Sequence, residues 1–242
     1  MTTLFISDLH LSPTDPELIS LTLDFLDTQT KGIQALYILG DLFNSWIGDD
    51  LIIDEFLPVI DKLQQLNQQG LEIYLMVGNR DFMIGDDFAR QAGCKILIDP
   101  TVIDLYGTPT LLMHGDTLCT DDIAYQRYRS WSRSSLLQWL FRKLPLPFKQ
   151  RIANKIKQKS REQKLDKSPV IMDVNQKAVI NIMQKYNIYQ LIHGHTHRPE
   201  IHKFILAGQP AKRIVLGDWD NKHFSVLRCD RQKIELIDPR IN

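Results

Sequence analysis

Short apolar runs that end in a polar residue recur along this chain of 242 residues and constrain its fold more than any other feature. They are LFIS, ALYILG, EIYLMVG, TLLMHG and YQLIHG, which begin at residues 4, 35, 72, 110 and 189. Runs of this length without polar alternation are typical of strands buried on both faces. Helical periodicity over about residues 17 to 30 and 51 to 69 separates the first three runs. This β-α-β-α-β order predicts a largely parallel sheet in an α/β fold.

The residues that follow these runs are chemically suited to metal binding. Ligands of parallel sheets lie beyond the carboxyl ends of the strands, so side chains at those positions should meet at one edge. The candidates are Asp8, His10, Asp41, Asn79, His114, His195 and His197. Imidazole nitrogens with carboxylate and amide oxygens, and no thiolate, suit Mn²⁺, Fe²⁺ or Zn²⁺. The sequence therefore predicts a site for two metal ions that leaves positions open for water and substrate.

The charge of the chain is unevenly distributed. Its 29 Lys and Arg balance 29 Asp and Glu, yet residues 121 to 168 hold 13 of the basic residues and only 4 of the acidic ones. This segment has helical and aromatic character, with Pro145 and Pro147 separating two helices. We predict a helical cap over 121–167, inserted into a core formed by 1–120 and 168–242. Leu, Trp and Phe among dispersed basic residues are typical of a segment at an anionic lipid surface, although a solvated helical face remains the alternative.

The rest of the chain carries weaker signals. Residues 173 to 187 predict a further helix, and β-like runs at 201–206, 212–216, 223–228 and 233–237 predict a closing antiparallel meander. The three cysteines are widely spaced without a C-x-x-C motif, which argues against a disulfide framework or a zinc-thiolate site. The N-terminus lacks the basic region of a signal peptide, and no apolar run approaches the roughly 20 residues of a membrane-spanning helix. We expect a protein of the reducing cytoplasm, soluble or bound to a membrane surface.

Five short motifs together resemble the calcineurin-like metallophosphoesterase family. In the family's order they are Asp8-Leu9-His10, Gly40-Asp41, Gly78-Asn79, His114-Gly115 and Gly194-His195-Thr196-His197. The resemblance implies an α/β sandwich of two central β-sheets flanked by helices, and two divalent ions, with Mn²⁺ expected from family precedent. It implies that one ion is held by Asp8, His10, Asp41 and His197. The second would be held by Asn79, His114 and His195, with Asp41 bridging the two.

The same resemblance gives the other histidines no role as ligands. His193 alternates with His195 and His197, so an extended chain would place all three on one face. We interpret His193 as a packing or supporting residue. We also interpret His202 and His223, in the closing strands, as surface or packing residues.

Arg80 departs from the commoner form of the family, in which histidine follows the asparagine of the G-N motif. A histidine can protonate an alkoxide leaving group, whereas an arginine, with a pKa above about 12, can only donate hydrogen bonds. This replacement favours a leaving group that needs no proton, such as the phosphate of a diphosphate, with Arg80 stabilising the transition state. Asp81 is expected either to orient Arg80 or to form a turn.

Longer strings resemble one bacterial branch of the family, which acts on UDP-2,3-diacylglucosamine in lipid A biosynthesis. They are LYILGDLFNSWIGDD, GNRDF, LLMHGDTLCTDD, IMDVNQ and IHGHTHRP. The resemblance implies attack on the α-phosphorus, giving UMP and 2,3-diacylglucosamine 1-phosphate. It also implies a peripheral position on the cytoplasmic face of the inner membrane, with neither nucleic acid nor an obligate protein partner. It assigns substrate contacts to Asn79, Arg80, Asp122, Ser160, Lys164, Lys167 and His195. Other members of this branch have a neutral side chain at the position of Lys164, which leaves the role of Lys164 open.

Two other functions are compatible with the sequence. A nuclease or nucleotide phosphodiesterase of the same fold could use the basic cap to grip phosphates, which would make binding depend steeply on salt. A non-catalytic scaffold could retain the fold while using the cap to bind a protein or membrane, but it would tolerate loss of metal ligands. All seven ligand positions are filled here.

Overall fold

The computed structural model describes residues 1–165 and 173–238, with the backbone alone for residue 157 and residues 159–165. Its strands are β1 (Thr2–Ile6), β2 (Ala35–Leu39), β3 (Glu72–Met76), β4 (Lys95–Leu97), β5 (Thr101–Leu105), β6 (Thr108–Met113), β7 (Gln190–His193), β8 (Glu200–Leu206), β9 (Gln209–Val215), β10 (Val226–Asp230) and β11 (Ile234–Ile237). Its helices are α1 (Pro16–Gln29), α2 (Leu57–Gln68), α3 (Asp86–Ala92), α4 (Ile123–Ser132), α5 (Ser135–Arg142), α6 (Leu146–Leu165) and α7 (Gln176–Tyr186).

The strands form two sheets. The first has the order β11-β10-β1-β2-β3-β4, and its strands β1 to β4 are mutually parallel. The second has the order β5-β6-β7-β9-β8, with β6, β7 and β9 parallel. The predicted parallel β-α-β-α-β unit is confirmed as β1-α1-β2-α2-β3. Strands β4 and β5 were absent from the sequence-based prediction.

The predicted closing meander is wrong. Strands β8 and β9 pair antiparallel in the second sheet, whereas β10 and β11 pair in the first sheet, where β10 lies against β1. The connection after β9 crosses between the sheets, and there the Trp219 ring packs edge-on against Phe25 of α1. A strand's apolar pattern shows which face is buried but not which partner pairs with it, because pairing depends on contacts that are remote in sequence.

Three apolar layers hold the sandwich together. Phe5, Leu39, Leu112, Ile192 and other buried residues of both sheets pack between the sheets. The outer face of the first sheet packs on α1, α2 and α3, and the outer face of the second packs on α7. This arrangement is the predicted α/β sandwich of two sheets flanked by helices, and it brings the carboxyl ends of the central strands of both sheets to one edge.

The basic segment is helical, as predicted, and forms α4, α5 and α6. Pro145 precedes α6 and Pro147 lies in its first turn, where the missing amide donor costs no helical hydrogen bond. Polar contacts tie the segment to the sandwich; among them, Arg133 Nη2 donates to the Gly78 carbonyl at 2.8 Å, and Lys149 Nζ lies 2.6 Å from Asp50 Oδ2. Within residues 1–165 and 173–238, no helix is both long and apolar enough to cross a membrane.

Candidate metal centre

Backbone hydrogen bonds join the loops at the carboxyl ends of the strands. The Asp8 amide donates to the Gly40 carbonyl at 3.0 Å, and the His10 amide donates to the Asp41 carbonyl at 2.9 Å. In the second sheet, the Gly194 amide donates to the His114 carbonyl at 2.9 Å. Each of these bonds fixes one candidate loop against its neighbour, so the side chains they carry are held at a common edge.

Five of the seven candidate ligands have left-handed backbone conformations. Their φ angles lie between 52° and 72°, and the residues are Asp8, His10, Asp41, His195 and His197. Residues with a Cβ atom adopt this region at an energetic cost, and such conformations cluster at functional sites. The surrounding hydrogen bonds therefore hold these loops in a shape that the local sequence alone would not prefer.

Glycines allow the loops to approach closely. A Cβ atom on Gly78 would collide with the backbone and carboxylate of Asp41, and one on Gly194 would collide with Ser7 and the Asp8 carboxylate. Any larger residue at either position would push a candidate ligand away from the centre.

One group of side chains surrounds the end of β1. The Nε2 atoms of His10 and His197 lie 3.2 Å apart, and Asp8 Oδ1 is 3.8 Å from the first and 3.4 Å from the second. The other oxygen of Asp8 accepts hydrogen bonds from Ser7 Oγ at 2.6 Å and from the His195 amide at 2.8 Å. The carboxylate is thereby oriented with Oδ1 facing the two imidazoles.

A second group surrounds Asp41. Its Oδ1 lies 3.8 Å from His114 Nε2 and accepts a hydrogen bond from the Arg80 amide at 2.7 Å. Its Oδ2 lies 3.8 Å from His10 Nδ1, so the two oxygens face different histidines. Asn79 Oδ1 is 3.0 Å from His114 Nε2. The carboxylate of Asp41 thus lies between the two groups, the position that the predicted bridging role requires.

Hydrogen bonds on the far side of two imidazoles select the nitrogen that faces the centre. His114 Nδ1 lies 2.9 Å from the Leu39 carbonyl, which can only accept, so Nδ1 carries a proton and Nε2 is the nitrogen that faces the centre. His197 Nδ1 is likewise 3.2 Å from Asp218 Oδ2. Carboxylate or carbonyl partners of this kind typically orient metal-bound histidines. Sequence reasoning missed Asp218, whose only signal was an acidic residue in the connection after β9.

The electrostatics of the centre favour positive charge. Burial opposes protonation of His114, but the carboxylates of Asp41 and Asp8 outweigh it and raise its pKa to about 9. Burial likewise opposes protonation of His197, yet the nearby carboxylates of Asp218 and Asp8 raise its pKa to about 10. Burial and the neighbouring His114 lower the pKa of His195 to about 3, which keeps that ring neutral. The carboxylates that draw protons to this centre would attract cations equally well.

The residues fit a pair of divalent cations. Asp8 Oδ1 and His10 Nδ1 are buried without a hydrogen-bond partner among the described residues, a costly state for isolated polar atoms. The ligand atoms of Asp8, His10 and His197 all lie within 4.8 Å of one another. The ligand atoms of Asp8, Asp41 and His114 form a second group of the same size. The chemistry of these donors, with nitrogen and oxygen but no sulfur, is that of a divalent metal centre.

His193, His202 and His223 lie in packing or surface positions, as predicted, and His195 is the remaining candidate ligand. His193 is fully buried, with Nδ1 2.8 Å from the Gly194 carbonyl, so it packs beneath the centre. The His195 ring packs edge-on against His114 at 5.1 Å between centroids and is stacked near Tyr125 at 6.1 Å. His202 and His223 are partly exposed and lie near the acidic side chains Glu200 and Asp220 respectively.

The predicted substrate contacts lie in different parts of the protein, and not all of them are described by the structure. Arg80 follows Asn79 at the centre, and its side chain lines an adjoining cleft. Asp122 caps α4 by accepting a hydrogen bond from the Tyr125 amide at 3.0 Å. Ser160 and Lys164 lie on α6, where their side chains are outside the described residues, and Lys167 lies outside them altogether.

Of its two predicted roles, orienting Arg80 or forming a turn, Asp81 has the turn role. Its Oδ1 accepts a hydrogen bond from the Gly78 amide at 2.7 Å, and Oδ2 accepts one from the Leu42 amide at 2.8 Å. The buried carboxylate therefore joins the loop after β3 to the loop after β2. Burial and the nearby Asp41 raise its pKa to about 6.

A buried network beside the centre was not anticipated from the sequence. Asp116 Oδ2 accepts a hydrogen bond from the Tyr125 hydroxyl at 2.6 Å and another from Arg129 Nε at 2.7 Å. Burial opposes ionisation of Asp116, but the charges of His114 and Arg129 outweigh it and lower its pKa. Because Tyr125 and Arg129 belong to α4, this network anchors the basic helical segment to the strand end that carries His114.

Comparison with known proteins agrees with this geometry. The profile of the calcineurin-like phosphoesterase family matches residues 1–199. The UDP-2,3-diacylglucosamine hydrolase of Pseudomonas aeruginosa strain UCBPP-PA14 is 49% identical over 226 residues, which cover 93% of this chain and 94% of that protein. The enzymes of the same name from Pseudomonas entomophila and Nitrosococcus oceani are 47% identical over 233 residues and 46% identical over 241 residues. These alignments cover 96% and 100% of this chain, and 97% and 96% of the relatives.

Proposed function

This chain belongs to the calcineurin-like phosphoesterase family, and we propose that it hydrolyses the diphosphate of UDP-2,3-diacylglucosamine, releasing UMP and 2,3-diacylglucosamine 1-phosphate. The observation that carries the proposal is the near full-length identity of 46 to 49% to enzymes that bear this activity in their names. The complete set of polar side chains at one sheet edge supports it, because hydrolysis by this family requires divalent metals.

We assign the ligands as the family resemblance implies. One ion would be held by Asp8, His10, Asp41 and His197, and the other by Asn79, His114 and His195, with Asp41 between them. When bound, such ions lower the pKa of coordinated water and withdraw charge from phosphate oxygens. The donor set suits Mn²⁺, Fe²⁺ or Zn²⁺, and Mn²⁺ is the proposed metal because the family resemblance implies it.

The protein's own groups would hold this chemistry in place. The Leu39 carbonyl and Asp218 fix the His114 and His197 rings, so that both present Nε2 to the centre. The Arg80 amide donates to Asp41 Oδ1, which holds the carboxylate in its orientation. The Arg80 guanidinium, placed one residue after Asn79, would donate hydrogen bonds to the phosphate oxygens as their charge increases. The leaving phosphate needs no proton, so the absence of a histidine at position 80 fits cleavage of a phosphoanhydride, and the resemblance implies that the attacked atom is the α-phosphorus.

The basic helical segment is the proposed lipid-binding part. Trp131, Leu136, Trp139, Leu140 and Phe148 are large apolar side chains that are 47 to 65% exposed on α4, α5 and α6. Apolar side chains among basic ones suit the surface of an anionic membrane. We propose that residues 121–167 form a cap on the core, that acyl chains lie between the two, and that the protein associates peripherally with the cytoplasmic face of the inner membrane. Asp122, Ser160, Lys164 and Lys167 are its proposed polar contacts.

The decisive experiment is hydrolysis of UDP-2,3-diacylglucosamine by the purified protein with Mn²⁺ in ¹⁸O-labelled water, with and without a chelator. We expect chelator-sensitive release of UMP that carries the label. Label on the sugar phosphate would refute attack on the α-phosphorus. Turnover of a generic phosphodiester, with no cleavage of the lipid substrate, would instead support a nuclease or nucleotide phosphodiesterase.

A further inference from the structure

A polar cleft of about 770 Å³ opens beside the metal centre. His10, His197 and Arg80 form its inner end, so it is continuous with the site where the diphosphate must react. Its volume lies within the range of about 300 to 1,000 Å³ that is typical of small-molecule sites. The cleft is therefore both close enough to the reacting phosphates and large enough to take one half of the substrate.

The walls of the cleft are rich in donors and acceptors. They come from the loop before α1, the loop after β2 and the connection after β9, and include Ser12, Thr14, Asn44, Asp220, Asn221 and Lys222. The apolar lining residues Leu18 and Trp219 are both buried, at 5% and 4% exposure, and offer little surface to a ligand. Acyl chains would gain nothing from such walls, whereas a ribose and a pyrimidine base could exchange hydrogen bonds with them.

Polar and apolar surfaces thus belong to different elements around the centre. No lining residue of the cleft belongs to the described part of residues 121–165, where the exposed Trp131, Leu136 and Trp139 lie. A nucleotide lipid has the same division, with acylated sugar on one side of the diphosphate and nucleoside on the other. We propose that the polar cleft binds the uridine half of the substrate, with Asn44 and Lys222 contributing to its affinity.

Two side chains make the assignment testable. Asn44 is half-buried, and its amide supplies one acceptor and two donors, which suits the alternating acceptors and donor on the uracil edge. Lys222 is exposed, and the three donors of its ammonium suit the ribose hydroxyls and the uracil carbonyl oxygens. Neither residue is among the proposed metal ligands, so their removal separates nucleotide binding from metal binding.

The inference rests on the proposed function, and equilibrium binding tests it apart from turnover. The Kd values of UMP, inorganic phosphate and 2,3-diacylglucosamine 1-phosphate would be measured by calorimetry on the metal-loaded wild type and on the Asn44→Ala and Lys222→Ala variants. We expect each variant to raise the Kd of UMP about tenfold, because one or two hydrogen bonds to the nucleoside are lost. The Kd values of inorganic phosphate and of 2,3-diacylglucosamine 1-phosphate should stay unchanged. Lys203→Ala, which removes an exposed lysine of β8 away from the cleft, is the matched control.

The outcomes separate the two proposals. If the wild type cleaves the UDP-lipid but both variants retain wild-type affinity for UMP, the cleft is not the uridine site and the proposed function stands. Equal losses for UMP and inorganic phosphate would assign the effect to the metal centre and would also overturn the inference. If the wild type releases no UMP from the UDP-lipid, both the proposed function and the uridine site are wrong. Unchanged thermal unfolding of the variants would show that they retain the fold.

Discussion

His10 and His197 are separated by 187 residues in sequence, yet their Nε2 atoms lie 3.2 Å apart and both face the Asp8 carboxylate. Two imidazole nitrogens at this distance from each other, both within 4 Å of one carboxylate oxygen, are close enough to bind the same cation. The relationship depends on left-handed backbone at all three residues and on the Asp218 carboxylate behind His197. The rest of the fold compensates the energetic cost of strained and buried residues at these positions. We therefore expect ligand binding at the centre to change the stability of the protein.

Removal of divalent metal should destabilise the protein. Buried Asp8 Oδ1 has no hydrogen-bond partner among the described residues, so a bound cation would compensate a carboxylate that is otherwise costly to bury. Calorimetric unfolding with Mn²⁺ at 100 times its Kd should show about 2.7 kcal/mol more stability for each ion bound than unfolding with a chelator. Adding Ca²⁺ in place of Mn²⁺ is the control, because calcium prefers oxygen ligands. Identical unfolding curves with Mn²⁺ and with chelator would contradict a metal centre here.

Replacement of Asp41 should nearly abolish turnover. Its two oxygens face His114 and His10, so Asp41→Ala removes the group between the two halves of the centre. We expect kcat to fall at least about 10³-fold, with metal content reduced when measured by mass spectrometry. Asp41→Asn retains the shape and one acceptor for the Arg80 amide, and it therefore separates loss of charge from loss of structure. Substantial residual activity in Asp41→Ala would defeat the bridging assignment.

Replacement of Arg80 should affect the transition state more than metal binding. The proposed role of its guanidinium is to donate hydrogen bonds to the phosphate oxygens. We expect Arg80→Ala to lower kcat by about 10² to 10³-fold, with an unchanged metal content. Arg80→Lys retains the charge but not the planar pair of donors, so it should recover only part of the rate. A variant that lost metal in proportion to activity would place Arg80 in a structural role instead.

The hydrogen bond from Tyr125 to Asp116 should contribute to stability. Tyr125→Phe removes the donor at 2.6 Å from a buried carboxylate, which remains hydrogen-bonded to Arg129. We expect the free energy of unfolding to fall by about 1 to 3 kcal/mol in denaturant titrations. Tyr186→Phe, at the exposed end of α7, removes a hydroxyl from the surface and is the control. Equal effects of the two changes would show that the Asp116 network contributes nothing specific.

The three cysteines should be unreactive in the folded protein. Burial raises the pKa of Cys94, Cys119 and Cys229 from 9.0 to about 12, so almost no thiolate is present near pH 8. A thiol-specific reagent at pH 8 should label them slowly in buffer and rapidly in denaturant. The thiol pKa is higher in the folded protein than in the unfolded chain, so ionisation of these thiols does not affect the free energy of unfolding below about pH 9. As the pH rises from 9 towards 12, their ionisation in the unfolded chain lowers that free energy. Rapid labelling of native protein would contradict this burial.

The sequence predicted elements more reliably than their arrangement. The apolar runs identified β1, β2, β3, β6 and β7, because a buried strand must be apolar wherever its partners lie. The predicted helices were likewise found as α1, α2 and α7, and the helical character of the basic segment was confirmed. Strand β4, of three residues, is too short to show a pattern. The final four strands were recognised as strands but were assigned to the wrong sheet arrangement.

The sequence by itself determined the chemistry of the centre. The residue types at the strand ends predicted nitrogen and oxygen ligands, and Arg80 in place of histidine predicted a leaving group that needs no acid. Only the tertiary structure showed that Asp218 and the Leu39 carbonyl orient two imidazoles, that Asp116 is bound by α4, and that a polar cleft adjoins His10. These relationships join residues that are remote in the chain, and their energies depend on distance, burial and orientation, none of which a local pattern encodes.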